Sequence, residues 1–369
     1  MSRVRVRDLV NHLDAEAPRS WAEPWDNVGL VAGDPDSSVT GVLVSLDPTP
    51  EALDRARELG ASVLLTHHPA FLEPIELRPG SGMSGVAFRA IEAGVALIAA
   101  HTNLDRCPEG ADALPNALGL RILEPLERSR QPVQVIVTYA PVGHADAVRR
   151  AMTLAGAGRI GAYQACTFTS EGTGRFTPLP GARLGAGATG EPRTAEEVRI
   201  EVVCAPEFAD HVTDATRAAH PYEEPVILRH DALIERGSAR MGRLCEAAPG
   251  TSVGSLATAI GRTLAVRPRV WGRADRGVRR LATAPGSGRS LVAAALEAGA
   301  DALVTGELRY HDALDATAAG LAVVEAGHDA TEWPMVPVLA EMARRAEGLP
   351  GSRVFVDAAR TGWWTTEGD

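Results

Sequence analysis

The stretch Leu64-Leu65-Thr66-His67-His68-Pro69 places two adjacent histidines at the end of an apolar run. Residues 62–65 are predicted to form a short buried strand, and the proline cannot continue a hydrogen-bonded ladder. The histidines should therefore lie at the carboxyl end of a strand, where open α/β sheets bind ligands. Because neighbouring side chains on an extended segment point to opposite sides, two such imidazoles suit two metal ions better than one. The alternative for an isolated pair is one buried, hydrogen-bonded histidine and one surface histidine.

Strands and helices alternate around this stretch, which is typical of a parallel α/β sheet. The strands are predicted at 42–46, 62–65 and 95–99, and the helices at 50–59 and 82–93. The last of these strands runs into His101-Thr102-Asn103-Leu104-Asp105. A second pair of ligand-type side chains, His101 and Asp105, is thus expected at the same edge of the sheet as the first.

The same pattern resumes after about residue 240. Strands are predicted at 281–284, 302–304 and 321–325, and helices at 289–298 and 308–319. Glu307 and His311 are expected to share one face of the helix at 308–319. Thr331 is predicted to cap a further helix whose positive end faces the site and favours an anionic substrate. The glycine turn at 285–288 suits either phosphate binding or tight packing.

The region between these two parts has a different order of elements. From about residue 132 to 230 it is strand, helix, strand, strand, helix, strand, which is the ferredoxin-like arrangement. We therefore predict an α/β domain made of residues 1–130 and 233–369, interrupted by an α+β insert at 131–232.

An internal repeat relates the two α/β halves. The segment RARELGASVLLTHHPAF (55–71) resembles AALEAGADALVTGELRY (294–310), and RAIEAGVALIAAHTNLD (89–105) resembles DATAAGLAVVEAGHDATE (315–332). His101 and Asp105 therefore match His328 and Glu332. Two similar halves that face each other across a pseudo-twofold axis would bring histidines and carboxylates together. Such ligands suit zinc, manganese or ferrous iron.

Composition narrows the classes of function. The 369 residues carry a formal net charge of -10, which argues against a generic nucleic-acid or membrane-surface binder. The chain contains no lysine, which excludes a Walker-A phosphate loop and Schiff-base chemistry. The four cysteines form no C-x-x-C pair, so a thiolate zinc site is not indicated. The amino terminus has no apolar leader segment, so we expect a cytoplasmic protein.

The combined motifs resemble the Nif-three-like family, whose members are described as GTP cyclohydrolase 1 type 2 homologues. Those motifs are Trp25-Asp26-Asn27-Val28-Gly29-Leu30, Thr66-His67-His68-Pro69, His101-Thr102-Asn103-Leu104-Asp105, Thr305-Gly306-Glu307 with Tyr310-His311, and Gly327-His328 with Thr331-Glu332. The middle region is similar to the PII/CutA-like insert of the longer members. Its motifs are Gly158-Arg159-Ile160-Gly161-Ala162-Tyr163, Glu171-Gly172-Thr173-Gly174 and His220-Pro221-Tyr222-Glu223-Glu224-Pro225.

The resemblance implies two divalent metal ions per subunit in a ring-shaped homohexamer. Matched position by position, it implies His67 and Asp105 on the first ion and His68 and His328 on the second, with Glu332 as the bridge. His101 matches a further histidine of the site. Glu307 and His311 are similar to acid/base positions or to positions behind the ligands.

The leading hypothesis is a dinuclear metal-dependent hydrolase, in which metal-bound hydroxide attacks a nucleotide or a related heterocycle. For GTP the attack would fall on C8 of the guanine ring, with His101 or His311 moving protons. A metal-binding regulatory or scaffold protein, and a metallohydrolase with another substrate, are the alternatives.

Overall fold

The computed structural model describes residues 4–80, 82–127, 130–160, 163–180, 189–235, 237 and 239–357. The contacts within it divide the chain into two units. One unit consists of Met1–Arg128 together with Gly237–Asp369, and the other consists of Ser129–Arg236. Among the described residues, no helix is long and apolar enough to cross a membrane.

The first part of the larger unit alternates strands and helices and ends in three short helices and a strand. Its elements are α1 (Val6–Glu16), β1 (Gly29–Ala32), β2 (Val42–Ser45), α2 (Pro50–Glu58), β3 (Val63–Thr66), α3 (Met83–Glu92), β4 (Ala96–Ala99), α4 (Thr102–Arg106), α5 (Pro108–Ala111), α6 (Ala113–Ala117) and β5 (Arg121–Pro125).

The described part of the smaller unit contains four strands and two longer helices. Its elements are β6 (Arg130–Pro141), α7 (Ala145–Leu154), β7 (Thr167–Phe176), β8 (Arg193–Cys204), α8 (Ala209–Ala219) and β9 (Ile227–Glu235). The strands pair antiparallel in the order β7-β8-β6-β9. Buried residues from the sheet, such as Ile136 and Ile200, pack with Met152 and Val212 of the two helices. Residues Gly161 and Ala162, part of the family-like motif, lie outside the described residues.

The second part of the larger unit returns to alternating strands and helices. Its elements are β10 (Arg243–Glu246), α9 (Val253–Leu264), β11 (Arg269–Trp271), β12 (Arg280–Ser287), α10 (Val292–Glu297), β13 (Ala302–Glu307), α11 (Tyr310–Ala318), β14 (Ala322–Glu325), α12 (His328–Glu332), α13 (Met335–Arg344) and β15 (Val354–Val356).

The first sheet has the strand order β1-β4-β3-β2-β15. Strands β15, β2, β3 and β4 are parallel, and β1 is antiparallel to β4. Ser45 pairs with Thr66, and Thr66 pairs with Ala99, so these three strands end at the same level. The segments that follow them, which contain Asp47, His67-His68 and His101, therefore leave the sheet at one edge.

The second sheet has the order β11-β14-β13-β12-β10-β5. Strands β12, β13 and β14 are parallel, and β11 is antiparallel to β14. The series β2-β3-β4 in the first sheet and β12-β13-β14 in the second are both parallel, and each is followed outward by one antiparallel strand. Their apolar runs, such as Leu303 and Val304, are buried because helices cover them.

The two sheets exchange strands across the length of the chain. Strand β5 comes from the first part of the chain but pairs with β10 of the second sheet. Strand β15 comes from the end of the chain but pairs with β2 of the first sheet. Helix α13 also crosses over, since Met335 and Leu339 belong to the core that contains Val44 and Leu65. Neither sheet is therefore complete within one continuous segment.

Two predicted helix positions are wrong, and both concern the site. Glu307 is not on the helix with His311: it is the last residue of β13, where it pairs with Ser287, and α11 begins only at Tyr310. Thr331 is not a helix cap either. It lies inside the short helix α12, which begins at His328 after Gly327 with a positive φ of 92°. In each case the strand or helix extends further toward the site than the local sequence signals indicate.

Candidate metal centre

Imidazoles and carboxylates from both sheets meet at one cavity of about 600 Å³ in the larger unit. The first sheet supplies His67 and His68 after β3 and His101 after β4, with Asp105 on α4. The second sheet supplies His328 and Glu332, both on α12. Five of these six residues line the cavity: His68, His101, Asp105, His328 and Glu332. His67 is fully buried behind them.

The histidine rings form a continuous cluster. The ring centroid of His67 lies 4.9 Å from that of His68 and 5.2 Å from that of His101. The centroids of His68 and His101 are 5.4 Å apart, and those of His68 and His328 are 5.6 Å apart. Two sets of potential ligand atoms result, each with its atoms within 4.8 Å of one another. One is His67, His68 and His101, and the other is His68, His328 and Glu332.

His67 and His68, which follow β3 of the first sheet, are each held by a hydrogen bond from Nδ1 to an oxygen atom. Nδ1 of His67 lies 2.9 Å from the carbonyl oxygen of Ala100. Nδ1 of His68 lies 2.7 Å from Oδ1 of Asp47. Since a carbonyl or carboxylate oxygen only accepts hydrogen bonds, Nδ1 must be the protonated nitrogen that donates.

The remaining two histidines follow the same rule. Nδ1 of His101 lies 2.9 Å from Oδ1 of Asp26, and Nδ1 of His328 lies 3.2 Å from Oε1 of Glu307. A hydrogen bond at one ring nitrogen fixes the tautomer, so the neutral form of each ring carries its lone pair on Nε2. Four Nε2 atoms are therefore available as ligands on one cluster.

Glu332 lies between the two sets of nitrogens. Its Oε2 is 3.0 Å from Nε2 of His68, and its Oε1 is 3.2 Å from Nε2 of His328 and 3.8 Å from Nε2 of His67. Burial would raise the pKa of this carboxyl, but the three histidines hold the pKa of Glu332 well below its usual range. The carboxylate is thus ionised and reaches both sets.

Asp105 completes the group on the side of His67. Its Oδ1 lies 3.7 Å from Nε2 of His67. Burial raises the pKa of Asp105, and the neighbouring charge of Glu332 raises it further, while the histidines lower it. Two carboxylates close together repel each other, so the ionised site is electrostatically unfavourable unless cations bind there.

The carboxylates also act on the two outer histidines. Burial lowers the pKa of His68, but Asp47 and Glu332 outweigh this and raise the pKa to about 10. For His328, the hydrogen bond with Glu332 raises the pKa to about 9, although burial opposes it. Both imidazoles therefore carry a proton at neutral pH when only the protein's own carboxylates face them.

Asp26 anchors His101 from a loop near the amino terminus. Its Oδ2 accepts a hydrogen bond of 3.0 Å from the backbone N–H of Thr102, while its Oδ1 faces His101. Burial would raise the pKa of Asp26, but the contacts with His101 and Thr102 lower it to about 2. A fixed negative charge thus stands directly behind the His101 ring.

A glycine makes room for Glu332. Gly286 lies in β12 with a φ of +63°, and a Cβ atom built on it would overlap Oε1 of Glu332. Its N–H donates a hydrogen bond of 3.0 Å to Oγ1 of Thr331, which ties β12 to α12. The glycine segment 285–288, which was predicted as a turn, therefore brings the backbone close to the ligands. Strand β12 continues through most of this segment and ends at Ser287.

Most of the predicted site residues come together, but His311 does not. It is exposed on the first turn of α11, with its ring 5.3 Å from that of Tyr310, and it is not among the residues that line the cavity. Glu307 reaches the cluster through its contact with Nδ1 of His328. The helix expected to favour an anion, α12, has five residues and points its own ligands, His328 and Glu332, at the cluster.

Sequence reasoning missed Asp47 and gave Asp26 and Trp25 too little weight. Asp47 follows β2 by two residues and precedes a proline, the same placement after a buried strand that singled out His67-His68. Trp25 is 56% exposed, and its ring centroid lies 6.1 Å from that of His101 on the cavity wall.

The donor set fits divalent metal ions. Nε2 of His67 is fully buried without a hydrogen-bond partner among the described residues, although a buried imidazole nitrogen normally has one. Imidazole and carboxylate ligands, with a carboxylate or carbonyl behind each imidazole, are the arrangement that proteins use for zinc, manganese and iron. A metal ion would satisfy this lone pair and relieve the repulsion between Asp105 and Glu332.

Comparison with known proteins agrees with this arrangement of motifs. The family model for Duf34/NIF3 (NGG1p interacting factor 3) matches residues 4–358. A Mycobacterium tuberculosis protein named GTP cyclohydrolase 1 type 2 homolog is 37% identical over 351 residues, which cover 92% of each chain. A Halalkalibacterium halodurans protein of the same name is 34% identical over 317 residues, covering 85% of each chain.

Solved structures show the same likeness. A Bacillus cereus protein related to NIF3 superposes with a TM-score of 0.65 at 31% sequence identity, and the match covers 99% of this chain and 100% of that one. A Staphylococcus aureus protein superposes with a TM-score of 0.66 at 27% identity over the whole of both chains.

Proposed function

Because the chain belongs to the Duf34/NIF3 family, we propose that it is a hydrolase that depends on two divalent metal ions and acts on a nucleotide-like heterocycle. The relatives named GTP cyclohydrolase 1 type 2 homolog support the nucleotide-like substrate. The metal dependence rests on the chemistry of the cluster itself.

One observation carries the proposal: four histidines have Nδ1 engaged by an oxygen acceptor around a buried ionised carboxylate, and Nε2 of His67 is buried without a hydrogen-bond partner among the described residues. Structural histidines usually satisfy one nitrogen with the protein and the other with water. Metal-ligating histidines typically donate a hydrogen bond from the ring nitrogen that does not bind the metal to a carboxylate or carbonyl oxygen, and every ring of this cluster makes such a contact through Nδ1.

In the proposal, His67 and Asp105 hold one ion, His68 and His328 hold the other, and Glu332 bridges them. The distances from the two oxygens of Glu332 to the three imidazoles support its bridging role. Zinc, iron and manganese all suit these ligands. When bound, two such ions acidify water and supply a nucleophile near neutral pH.

The chain's own residues would position the ligands and move the proton. His101 is proposed as the proton carrier, because the ionised Asp26 orients its ring and its Nε2 belongs to the cluster. Glu307 is proposed as a positioning residue, since it contacts Nδ1 of His328. Asp47 has the same task for His68. His311 has no part in the proposed reaction.

The architecture that serves this centre also forms part of the proposal. We propose that the larger unit consists of two related α/β halves, which is supported by the shared pairing of three parallel strands and one antiparallel strand, β2-β3-β4-β1 in one sheet and β12-β13-β14-β11 in the other. The smaller unit is proposed as a ferredoxin-like insert of the PII/CutA-like kind, supported by its strand order β7-β8-β6-β9. Assembly into a homohexamer stays a prediction from the resemblance.

The test combines metal content with turnover. Protein stripped by a chelator is reloaded with zinc, manganese or iron(II), and bound metal and formate release from GTP and guanosine are measured. We expect two ions per chain and metal-dependent release of formate, both lost in His67→Ala and Glu332→Ala. The control is His144→Ala, an exposed histidine of the other unit.

Binding of two ions without turnover of either compound would contradict the hydrolase and favour a metal-dependent regulatory or scaffold protein. Absence of metal binding would contradict the centre itself.

A further inference from the structure

The wall of the cavity has an aromatic side and carries few charges that attract an anion. Apolar side chains line much of the wall, namely Trp25, Pro69, Phe71, Leu72, Met241 and Leu291, and the ring of Trp25 lies next to that of His101. The hydroxyl residues Thr102, Ser287 and Ser290 also line the cavity. Among the described residues that line this cavity, none is an arginine, and the chain has no lysine.

Arginines close to the wall in sequence are already engaged by carboxylates or lie outside it. Glu23 lines the cavity, and Arg106, which contacts it at 2.5 Å, is buried and also contacts Glu127 at 3.1 Å. Arg289 precedes the lining residue Ser290 and lies 3.2 Å from Asp312. Arg240 precedes Met241 but does not line the wall. A polyphosphate in this cavity would therefore meet no free guanidinium from the described wall.

The carboxylates around the cluster also offset the charge of the proposed ions. Asp105 and Glu332 among the ligands, with Asp26 and Asp47 behind His101 and His68, supply four negative charges. These equal the charge of two divalent ions, and Glu307 behind His328 adds a further negative charge. A centre without net positive charge gives a highly charged anion little long-range attraction.

The aromatic side is held in place. Asn27, two residues after Trp25, donates a hydrogen bond of 2.9 Å from its side-chain amide to the carbonyl oxygen of Phe71. Asp26, the neighbour of Trp25, is fixed to Thr102. The two loops that carry Trp25 and Phe71 are thus joined to each other and to the cluster, so the aromatic wall is formed before a ligand arrives.

From these observations we infer that the cavity selects an uncharged aromatic heterocycle, such as a nucleoside or free base, over the corresponding nucleoside triphosphate. Trp25 is the specificity-determining residue, because its exposed ring offers a stacking surface beside His101. This inference rests on the proposed function for the location of the substrate. It departs from the names of the relatives, which point to GTP.

The test measures binding by calorimetry on the manganese-loaded protein in excess Mn²⁺, with guanosine against GTP and adenosine against ATP. We expect the nucleoside of at least one pair to bind tenfold or more tightly than its triphosphate. Trp25→Ala should weaken nucleoside binding by about 5- to 150-fold, the range of one base–aromatic stack. Trp271→Phe, on the outer strand β11, is the matched control and should leave that affinity unchanged.

A second variant places an arginine on the cavity wall, where the described lining residues include none. Ser290 is exposed, so Ser290→Arg should fold and should shift the preference toward the triphosphate by at least tenfold. The inference is overturned if in both pairs the triphosphate binds as tightly as its nucleoside, if neither nucleoside binds, or if Trp25→Ala has no effect on the binding of the preferred nucleoside. Metal content, measured on the same samples, decides separately whether the proposed metal centre exists.

Discussion

Oε2 of Glu332 lies 3.0 Å from Nε2 of His68, although the two residues follow strands of different sheets. His68 leaves β3 of the first sheet, and Glu332 ends α12 after β14 of the second. The centre therefore depends on the relative position of the two sheets. Any change that separates them should disturb metal binding before it disturbs either sheet.

Removing the charge of Glu332 should abolish stable binding of both ions. Glu332→Gln keeps the size of the side chain but loses the anion between the two sets of nitrogens. We expect metal affinity to fall at least a hundredfold, measured by metal analysis after dialysis and by calorimetric titration. Glu341→Gln, on the exposed face of α13, serves as the control. Retention of two tightly bound ions by Glu332→Gln would refute the bridging role.

The residue behind His68 should matter nearly as much as a ligand. Asp47→Ala removes the oxygen that fixes the tautomer of His68, and such changes typically cost 10- to 100-fold in metal affinity or activity. Asp54→Ala removes a half-exposed aspartate of α2 that pairs with Arg89, and it should leave the metal affinity unchanged. Equal affinities in the two variants would show that Asp47 has no role in the centre.

Gly286 provides a test of close packing at the centre. Gly286→Ala and Gly60→Ala both place an alanine at a positive φ, +63° and +66°, so both should lose about 1–2 kcal/mol of stability. Only at Gly286 would the new methyl group collide with Glu332, whereas nothing lies within 4 Å at Gly60. Denaturant unfolding should therefore give a larger loss for Gly286→Ala than for Gly60→Ala, and metal binding should fall in Gly286→Ala alone. Similar metal content in both variants would contradict the geometry.

His101 can be distinguished from a ligand by its effect on metal content. As the proposed proton carrier, it should be replaceable by glutamine without loss of either ion. Turnover should then fall by about 10²–10⁴-fold, the usual contribution of general acid–base catalysis, and the pH profile should lose one limb. If His101→Gln loses an ion instead, His101 is a ligand and the proton carrier lies elsewhere.

Stability should respond to pH in opposite directions with and without metal. In chelator-treated protein, the pKa values of His68 and His328 are raised to about 10 and about 9 from 6.5. Their protonated forms thus stabilise the fold fully below pH 6.5, and this contribution is lost as the pH rises through 9 to 10. Metal ions require the neutral imidazoles, so their affinity should increase over the same range.

Thermal unfolding between pH 6 and 9 measures this difference. The gap in Tm between metal-loaded and chelator-treated protein should widen with rising pH, and His68→Gln should reduce the widening. A gap that stays constant across the range would show that the two histidines do not exchange protons for metal.

Sequence patterns predicted the parallel strands well because their apolar runs are short, buried and bounded by glycine or proline. The chain from β2 to β4 lies within a residue or two of the prediction, and His67-His68 does follow a buried strand. The family motifs were confirmed by the match over residues 4–358. Periodicity works here because each of these strands is buried on both faces.

What could not be predicted depends on contacts that are distant in sequence. Asp47 gains its importance only from the 2.7 Å contact with His68, 21 residues later. Glu307 was expected to share a helical face with His311, because spacing alone cannot show that β13 continues to pair with β12 as far as Glu307. The outer strands β5 and β15 lack the buried apolar runs of β2, β3 and β4, because neither is buried along its length, and they are defined by their partners in the opposite sheet.

The exchange of β5 and β15 has a consequence for the newly made protein. The segments that follow β3 and β4 of the first sheet carry His67, His68, His101 and Asp105, yet the outer strand of this sheet and part of its core come from residues 335–356. During synthesis this sheet must wait for almost the whole chain to leave the ribosome before it can close. Nascent fragments would hold the His67-His68 pair without His328 and Glu332, so capture of both ions should mark a finished polypeptide.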